Sequence, residues 1–211
     1  VYRVQDQAAL QTASKIVRPA FPLSYPQERL WFQYLLEGPS CSFNYPVYYR
    51  IRGSLDRGLL ARSLEKVFAH HEIFRSRFTV VNGTPRFYLS DTLELPMDFL
   101  DLSSELPEPG EEKLQQVITS LSLKTFHLEK DIPFRVTLIR VSETYHVLML
   151  NFHHIIMDGI TMEYLDEEIR KVYQDLSSGV DEPPGDPEST YTAQVMWQRE
   201  AFSEASLQDH F

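Results

Sequence analysis

The segment Tyr145 to Phe152, YHVLMLNF, constrains this chain more than any other. Side chains of a strand alternate between its two faces, and here both faces are apolar, so the strand must lie inside a sheet covered on both sides. Pro133 to Val141 is a second short apolar run, separated from the first by Ser142-Glu143-Thr144. Beyond Gly159, the residues Met162, Leu165, Ile169, Val172 and Tyr173 recur at helical spacing until Ser177-Ser178-Gly179. A buried strand therefore delivers the residues NFHHIIMDG, Asn151 to Gly159, straight to the start of a helix.

The other elements are read from the same periodicities. PQERLWFQYLLEG predicts a first helix from Pro26 to Leu36, with Leu30, Trp31, Tyr34 and Leu35 on one face and Gly38 and Pro39 ending it. YPVYYRIRG predicts a strand, and Asp56 stands at an N-cap position before a helix from Arg57 to about His71. That helix carries the stripe Leu59, Leu60, Leu64, Val67 and Phe68, which suits packing on a sheet. Ile73 to Val81 and Pro85 to Leu89 flank Asn82-Gly83, the strongest local hairpin signal. Asp101 to Gly110 is acidic and proline-rich and predicts a mobile surface loop, followed by a helix from Glu111 to Phe126. DEPPGDPES predicts another loop, and the last segment, from Thr190, is helical and stops without a terminating signal, as a cut chain would. The first 20 residues are polar and predict a lead-in or linker. The class is α/β or α+β, with a mixed sheet and helices packed on it.

Composition narrows the functional classes. A length of 211 residues suits one sizeable core, and 43% hydrophobic with 24% charged residues is ordinary for a globular chain. A net charge of -10 offers no attraction for phosphate backbones or anionic membranes, which argues against nucleic acid as a partner. The single cysteine, Cys41, forbids an intrachain disulfide framework or a multi-cysteine zinc site and fits a reducing, cytoplasmic setting. Neither a signal peptide nor a membrane span is legible.

Adjacent histidines at a strand end project to opposite faces, so only one of His153 and His154 can face a given channel. The same geometry opposes joint metal binding, and no metal site is expected. An imidazole, titrating near about 6.5, can take a proton from an amine or hydroxyl at neutral pH. Asp158, at the turn into the helix, can cap it or pair with an arginine, a supporting role. Gly159 permits close backbone approach, and its amide near a helix N-terminus is a candidate donor to a developing oxyanion. These parts suit acyl transfer without a covalent enzyme nucleophile. The competing reading is a buried histidine pair satisfying backbone groups, with Asp158 as a simple cap.

Three separated motifs, in order, resemble the condensation domain of nonribosomal peptide synthetases. LSYPQERLWF, Leu23 to Phe32, resembles the family's S-x-A-Q-x-R-L-W; HHEIFRSRF, His70 to Phe78, resembles R-H-E-x-L-R-T-x-F; and NFHHIIMDG resembles H-H-x-x-x-D-G. The likeness extends from Phe21 to Phe211. It implies a chloramphenicol acetyltransferase-like lobe, the N-terminal one of two, with the C-terminal lobe absent. Amide formation would join a donor acyl or peptidyl thioester to an acceptor aminoacyl thioester, both on the 4'-phosphopantetheine of carrier proteins, with no cofactor bound directly. By resemblance His154 is the base or orients the amine, Gly159 is the motif glycine, Asp158 and His153 support the site, and Arg75 is a salt-bridge or scaffold residue. His70 stands where the family has an arginine, which leaves open what partners Asp158. Partners would be the two carrier proteins, the second lobe and neighbouring synthetase domains, and the isolated lobe would be inactive. Two alternatives remain at this point: a coenzyme A-dependent acyltransferase of the chloramphenicol acetyltransferase type, and a non-catalytic module that docks a carrier protein.

Overall fold

The computed structural model describes residues 19–104, 111–182 and 189–202. Strand β1 (Ala20–Pro22) leads into helix α1 (Tyr25–Glu37), followed by β2 (Asn44–Arg52) and α2 (Arg57–His70). A turn of 3-10 helix, Glu72–Arg75, opens the hairpin β3 (Ser76–Val81) and β4 (Thr84–Leu89). Then come β5 (Met97–Asp101), α3 (Glu111–Ser122), β6 (Phe134–Ser142), β7 (Tyr145–His153), α4 (Gly159–Ser177) and α5 (Tyr191–Ala201).

The strands form two sheets, ordered β1-β4-β3 and β2-β7-β6-β5. All pairs are antiparallel except β5 with β6. Strand β7 lies inside the larger sheet, and every residue from His146 to His153 is buried, as its two apolar faces require. Leu148, Leu150 and Phe152 join the core beneath α2 and α4, with Leu60, Leu64, Phe68 and Leu165. Val147 and Met149 face the other way, against Leu114 and Ile118 of α3. The smaller sheet packs on α1 and α5 through rings: Trp31 stacks on Phe78 at 6.4 Å, and Phe87 meets Tyr191 at 5.9 Å. In the β3–β4 turn Asn82 and Gly83 both take positive φ, 50° and 78°, the backbone a tight two-residue hairpin demands.

Several expected boundaries move. Ile73 to Arg75 is 3-10 helix instead of strand, because Ile73 and Phe74 are both buried and an alternating strand would expose one of them. On α1 the inner stripe is Gln27, Trp31 and Tyr34, whereas Leu35 is 60% exposed, as are Phe32 and Leu36 to similar degrees. Helix α3 stops at Ser122, short of Phe126: Asn44 and Asn151 donate to the carbonyls of Leu121, Ser122 and Lys124, and Arg135 takes those of Lys124 and Thr125. Asp101 closes the edge strand β5 instead of opening a loop. Ala20, placed in the lead-in by sequence, begins β1 and pairs with Tyr88. Residues 1–18, 105–110, 183–188 and 203–211, which hold the rest of the lead-in, most of both loops and the chain end, lie outside the described residues.

Candidate active site

The parity of β7 separates the two histidines. His153 shares a face with Met149 and Asn151 and is 2% exposed, held between Phe43 at 5.9 Å and Phe126 at 6.1 Å. Its Nδ1 accepts the Ile155 amide at 3.0 Å, so the neutral ring carries its proton on Nε2. Burial, and secondarily the neighbouring His154, pushes its pKa down to about 4, and it is uncharged at neutral pH.

His154 emerges on the opposite side and is exposed. Its amide bonds to the Phe43 carbonyl at 2.8 Å, prolonging the β2–β7 ladder by one rung. Its Nδ1 lies 3.0 Å from the Met157 carbonyl. A carbonyl only accepts, so Nδ1 holds the proton and Nε2 of the neutral ring keeps its lone pair, the state a general base needs. Tyr45 sets the ring plane from the side, edge-on with centroids 5.1 Å apart.

Asp158 is the N-cap of α4. Its Oδ1 accepts the Thr161 amide at 2.8 Å, and bonding from the Thr161 side chain and amide holds its carboxyl below the usual range. Among the described residues no cation is bonded to it. His70, in the position of the family's arginine, packs instead edge-on to His71 at 5.0 Å. The amides of Thr161 and Met162 go to Asp158, which leaves the Gly159 amide, first in the helix, outside those bonds. A Cβ on Gly159 would meet only the Tyr45 hydroxyl, at 3.7 Å. Arg75 lies apart from these groups and donates to the Ser90 carbonyl at 3.0 Å, which ties the 3-10 turn to the end of β4.

One supporting residue was not singled out from sequence. Gln27 of α1 is 3% exposed, and its Nε2 donates to the Ile155 carbonyl at 3.0 Å while its Oε1 accepts the Ser24 amide at 3.0 Å. It completes the helix cap and grips the histidine turn together. The signal was present, a glutamine inside the first motif, but its reach to Ile155 is a tertiary fact.

Two open grooves flank the turn. The first, about 710 Å³, runs between β2 and α4 and is lined by Tyr45, Tyr49, Gly159, Met162 and Glu163 among others. The second, about 770 Å³, runs between α1 and α5 and includes His154, Gln27, Ile156 and Trp197. Asp158 borders both. Among the described residues no group of three or more His, Cys, Asp or Glu side chains is placed to hold a metal ion, and no helix is long and apolar enough to cross a membrane.

A covered mixed sheet ending in a histidine turn between two grooves is the chloramphenicol acetyltransferase-like fold shared by solved condensation domains. The starter condensation domain of rhizomide synthetase RzmA superposes with a TM-score of 0.78 at 20% identity, covering 89% of this chain and 45% of that one. The first condensation domain of the CDA synthetase gives 0.74 at 22%, covering 89% and 47%. The condensation domain family model matches residues 17–210. The chain belongs to the condensation domain family of nonribosomal peptide synthetases. Chondramide synthase cmdD of Chondromyces crocatus is 32% identical over 190 residues, 90% of this chain and 5% of that protein. The isonitrile lipopeptide synthase of Mycobacterium tuberculosis is 31% identical over 195 residues, 91% of this chain and 8% of that protein. The chain thus spans less than half of the solved domains and a small part of the synthetases.

Proposed function

We propose that this chain is the N-terminal lobe of a condensation domain and supplies the proton-accepting wall of a site that joins two carrier-bound substrates through an amide. The observation that carries this reading is the His154 tautomer: Nδ1–H is spent on the Met157 carbonyl, and Nε2 is left with a lone pair beside an open groove. In the reaction the neutral amine of an aminoacyl thioester attacks the carbonyl carbon of an acyl or peptidyl thioester. The C–N bond forms, the C–S bond breaks, and the amine proton passes to His154 Nε2 and then to the departing thiolate. His153, Asp158 and Gln27 act on the turn, and Gly159 offers its amide to the carbonyl oxygen. Both thioesters would ride on phosphopantetheine arms of carrier proteins, one along each groove, in a cytoplasmic synthetase. A second lobe would roof the open grooves, and the lobe alone would be inactive.

The test uses the chain joined to its downstream sequence, with both substrates loaded on carrier proteins. His154→Ala should abolish amide formation or reduce it at least 100-fold, in line with the roughly 10²–10⁴-fold worth of a positioned base. Wild-type turnover in that variant would remove His154 from the mechanism.

A further inference from the structure

Tyr45 and His154 stand back to back as the partition between the two grooves. Tyr45 and Gly159 line the β2–α4 groove and His154 does not; His154 lines the α1–α5 groove and those two do not. The base must touch the amine, so on the reading above the amine arrives through the α1–α5 groove. The carbonyl it attacks then lies across the partition, at the end of the β2–α4 groove where Tyr45 and Gly159 face each other.

We propose that Tyr45 is a substrate-contacting residue whose phenol donates a hydrogen bond to the carbonyl oxygen of the acyl thioester in the β2–α4 groove. Three observations converge. The phenol oxygen has no hydrogen-bond partner among the described residues, so its O–H is available. It lies 3.7 Å from where a Gly159 Cβ would stand, in contact range of the start of α4, where helix amides lend partial positive charge. Its ring is held edge-on to His154 at 5.1 Å, so the donor is fixed relative to the base and need not be reorganised during reaction. A phenylalanine would serve the ring contact equally well; the hydroxyl is what the packing does not explain. Tyr45, Val47 and Tyr49 fall on one face of β2, which makes the same groove wall a run of two phenols around a valine. Tyr49, on the same wall, stands beside Asp166, and burial, with that carboxylate, pushes its phenol up to about 12.

This inference rests on the proposed function, and the experiment separates the two. In the chain joined to its downstream sequence, Tyr45→Phe, Tyr45→Leu and His154→Ala are compared by single-turnover amide formation from carrier-bound substrates, with melting temperatures recorded. Tyr45→Phe should lower the rate constant on the order of 10- to 100-fold, somewhat below the loss of a backbone-like oxyanion donor. Its apparent affinity for both carriers and its melting temperature should stay at wild type, and Tyr45→Leu should lose more, because the edge contact to His154 goes too. Incorporation of 3-fluorotyrosine at position 45, which preserves packing and makes a stronger donor, carries the test independently of folding: a rate at or above wild type supports the donor role, and a fall overturns it. A wild-type rate in Tyr45→Phe beside a dead His154→Ala overturns the role of the phenol and leaves the proposed function standing. A wild-type rate in His154→Ala overturns the proposed function, and this inference falls with it.

Discussion

The burial of His153 makes the stability of this chain depend on pH in a defined window. Folded, the ring is 2% exposed with a pKa pushed down to about 4. In the unfolded chain an imidazole titrates near about 6.5. Between these values the unfolded state binds more protons than the folded one, so stability rises with pH across the window and is lost as pH falls through it. At about 1.36 kcal/mol per pH unit, the full loss is about 3 kcal/mol, a large share of the roughly 5–15 kcal/mol that typically holds a domain folded. Carboxylates titrate in the same range, so the measurement is a comparison. Urea unfolding of wild type and His153→Asn is followed from pH 7.5 to pH 4 in steps of about half a unit. Asparagine removes the titrating group and can still accept the Ile155 amide through Oδ1, which His153 Nδ1 accepts at 3.0 Å. Wild type should lose about 3 kcal/mol more than the variant between pH 7 and pH 4, with the difference flat above pH 7. The His153 ring resonances should not titrate near pH 6.5 in the folded chain. Parallel pH profiles for the two proteins, or a ring titrating near its ordinary value, would refute the account of a buried neutral imidazole.

Three further perturbations have direct readouts. Gln27→Leu strands the Ile155 carbonyl and removes the side-chain half of the α1 capping box, at a cost of about 2–4 kcal/mol, so the melting temperature by circular dichroism should fall by roughly 5–15 °C; a fall under about 2 °C would discount the link. Asp158→Ala removes the cap of α4 and should cost about 1 kcal/mol in urea unfolding, with Asp158→Ser recovering most of it; equal losses in both would argue against capping. Gly83→Val forces a β-branched residue to φ 78° and should cost about 1–2 kcal/mol, detectable as a lower urea midpoint, whereas Gly83→Asn should cost less.

Local chemistry made much of this fold readable. Asp56 caps α2 through the Leu59 amide at 3.0 Å, Asn82-Gly83 turns the hairpin, and the two apolar faces of β7 become the buried centre of the larger sheet. What escaped sequence reading was decided by tertiary partners. Met97–Asp101 is short, acidic at two positions and follows a proline, and only its parallel pairing with β6 makes it a strand. The end of α3 is set by donors arriving from β2, β6 and β7, which no spacing within Glu111 to Phe126 encodes. At the site, strand alternation put the histidines on opposite faces. The tautomer of His154 depends on a carbonyl three residues on, and the phenol of Tyr45 lies on a strand more than a hundred residues earlier in sequence.

The three motifs, far apart in sequence, become one device in the fold. The first sends Gln27 to the Ile155 carbonyl and so fixes the turn that carries His154. The second frames the helices on either side: His71 pairs with Glu168 of α4 at 2.6 Å, and Glu72 accepts from the Thr192 hydroxyl of α5, also at 2.6 Å. Phe74 of the same motif stacks on Phe68 at 4.5 Å and lies 6.0 Å from Phe152, the residue before the histidines. Thus α4, which walls one groove, and α5, which walls the other, are both anchored to the short 3-10 turn between α2 and β3. The width of each groove and the position of His154 between them are therefore set by a shared support. A His71→Ala exchange, which removes the tie to α4 and leaves the Glu72 tie to α5, should disturb the β2–α4 groove more than the α1–α5 groove. On the proposed function, the full domain carrying this exchange should show an apparent KM raised several-fold for one carrier-bound substrate and within about twofold for the other, and equal effects on both would show that the support is not divided in this way.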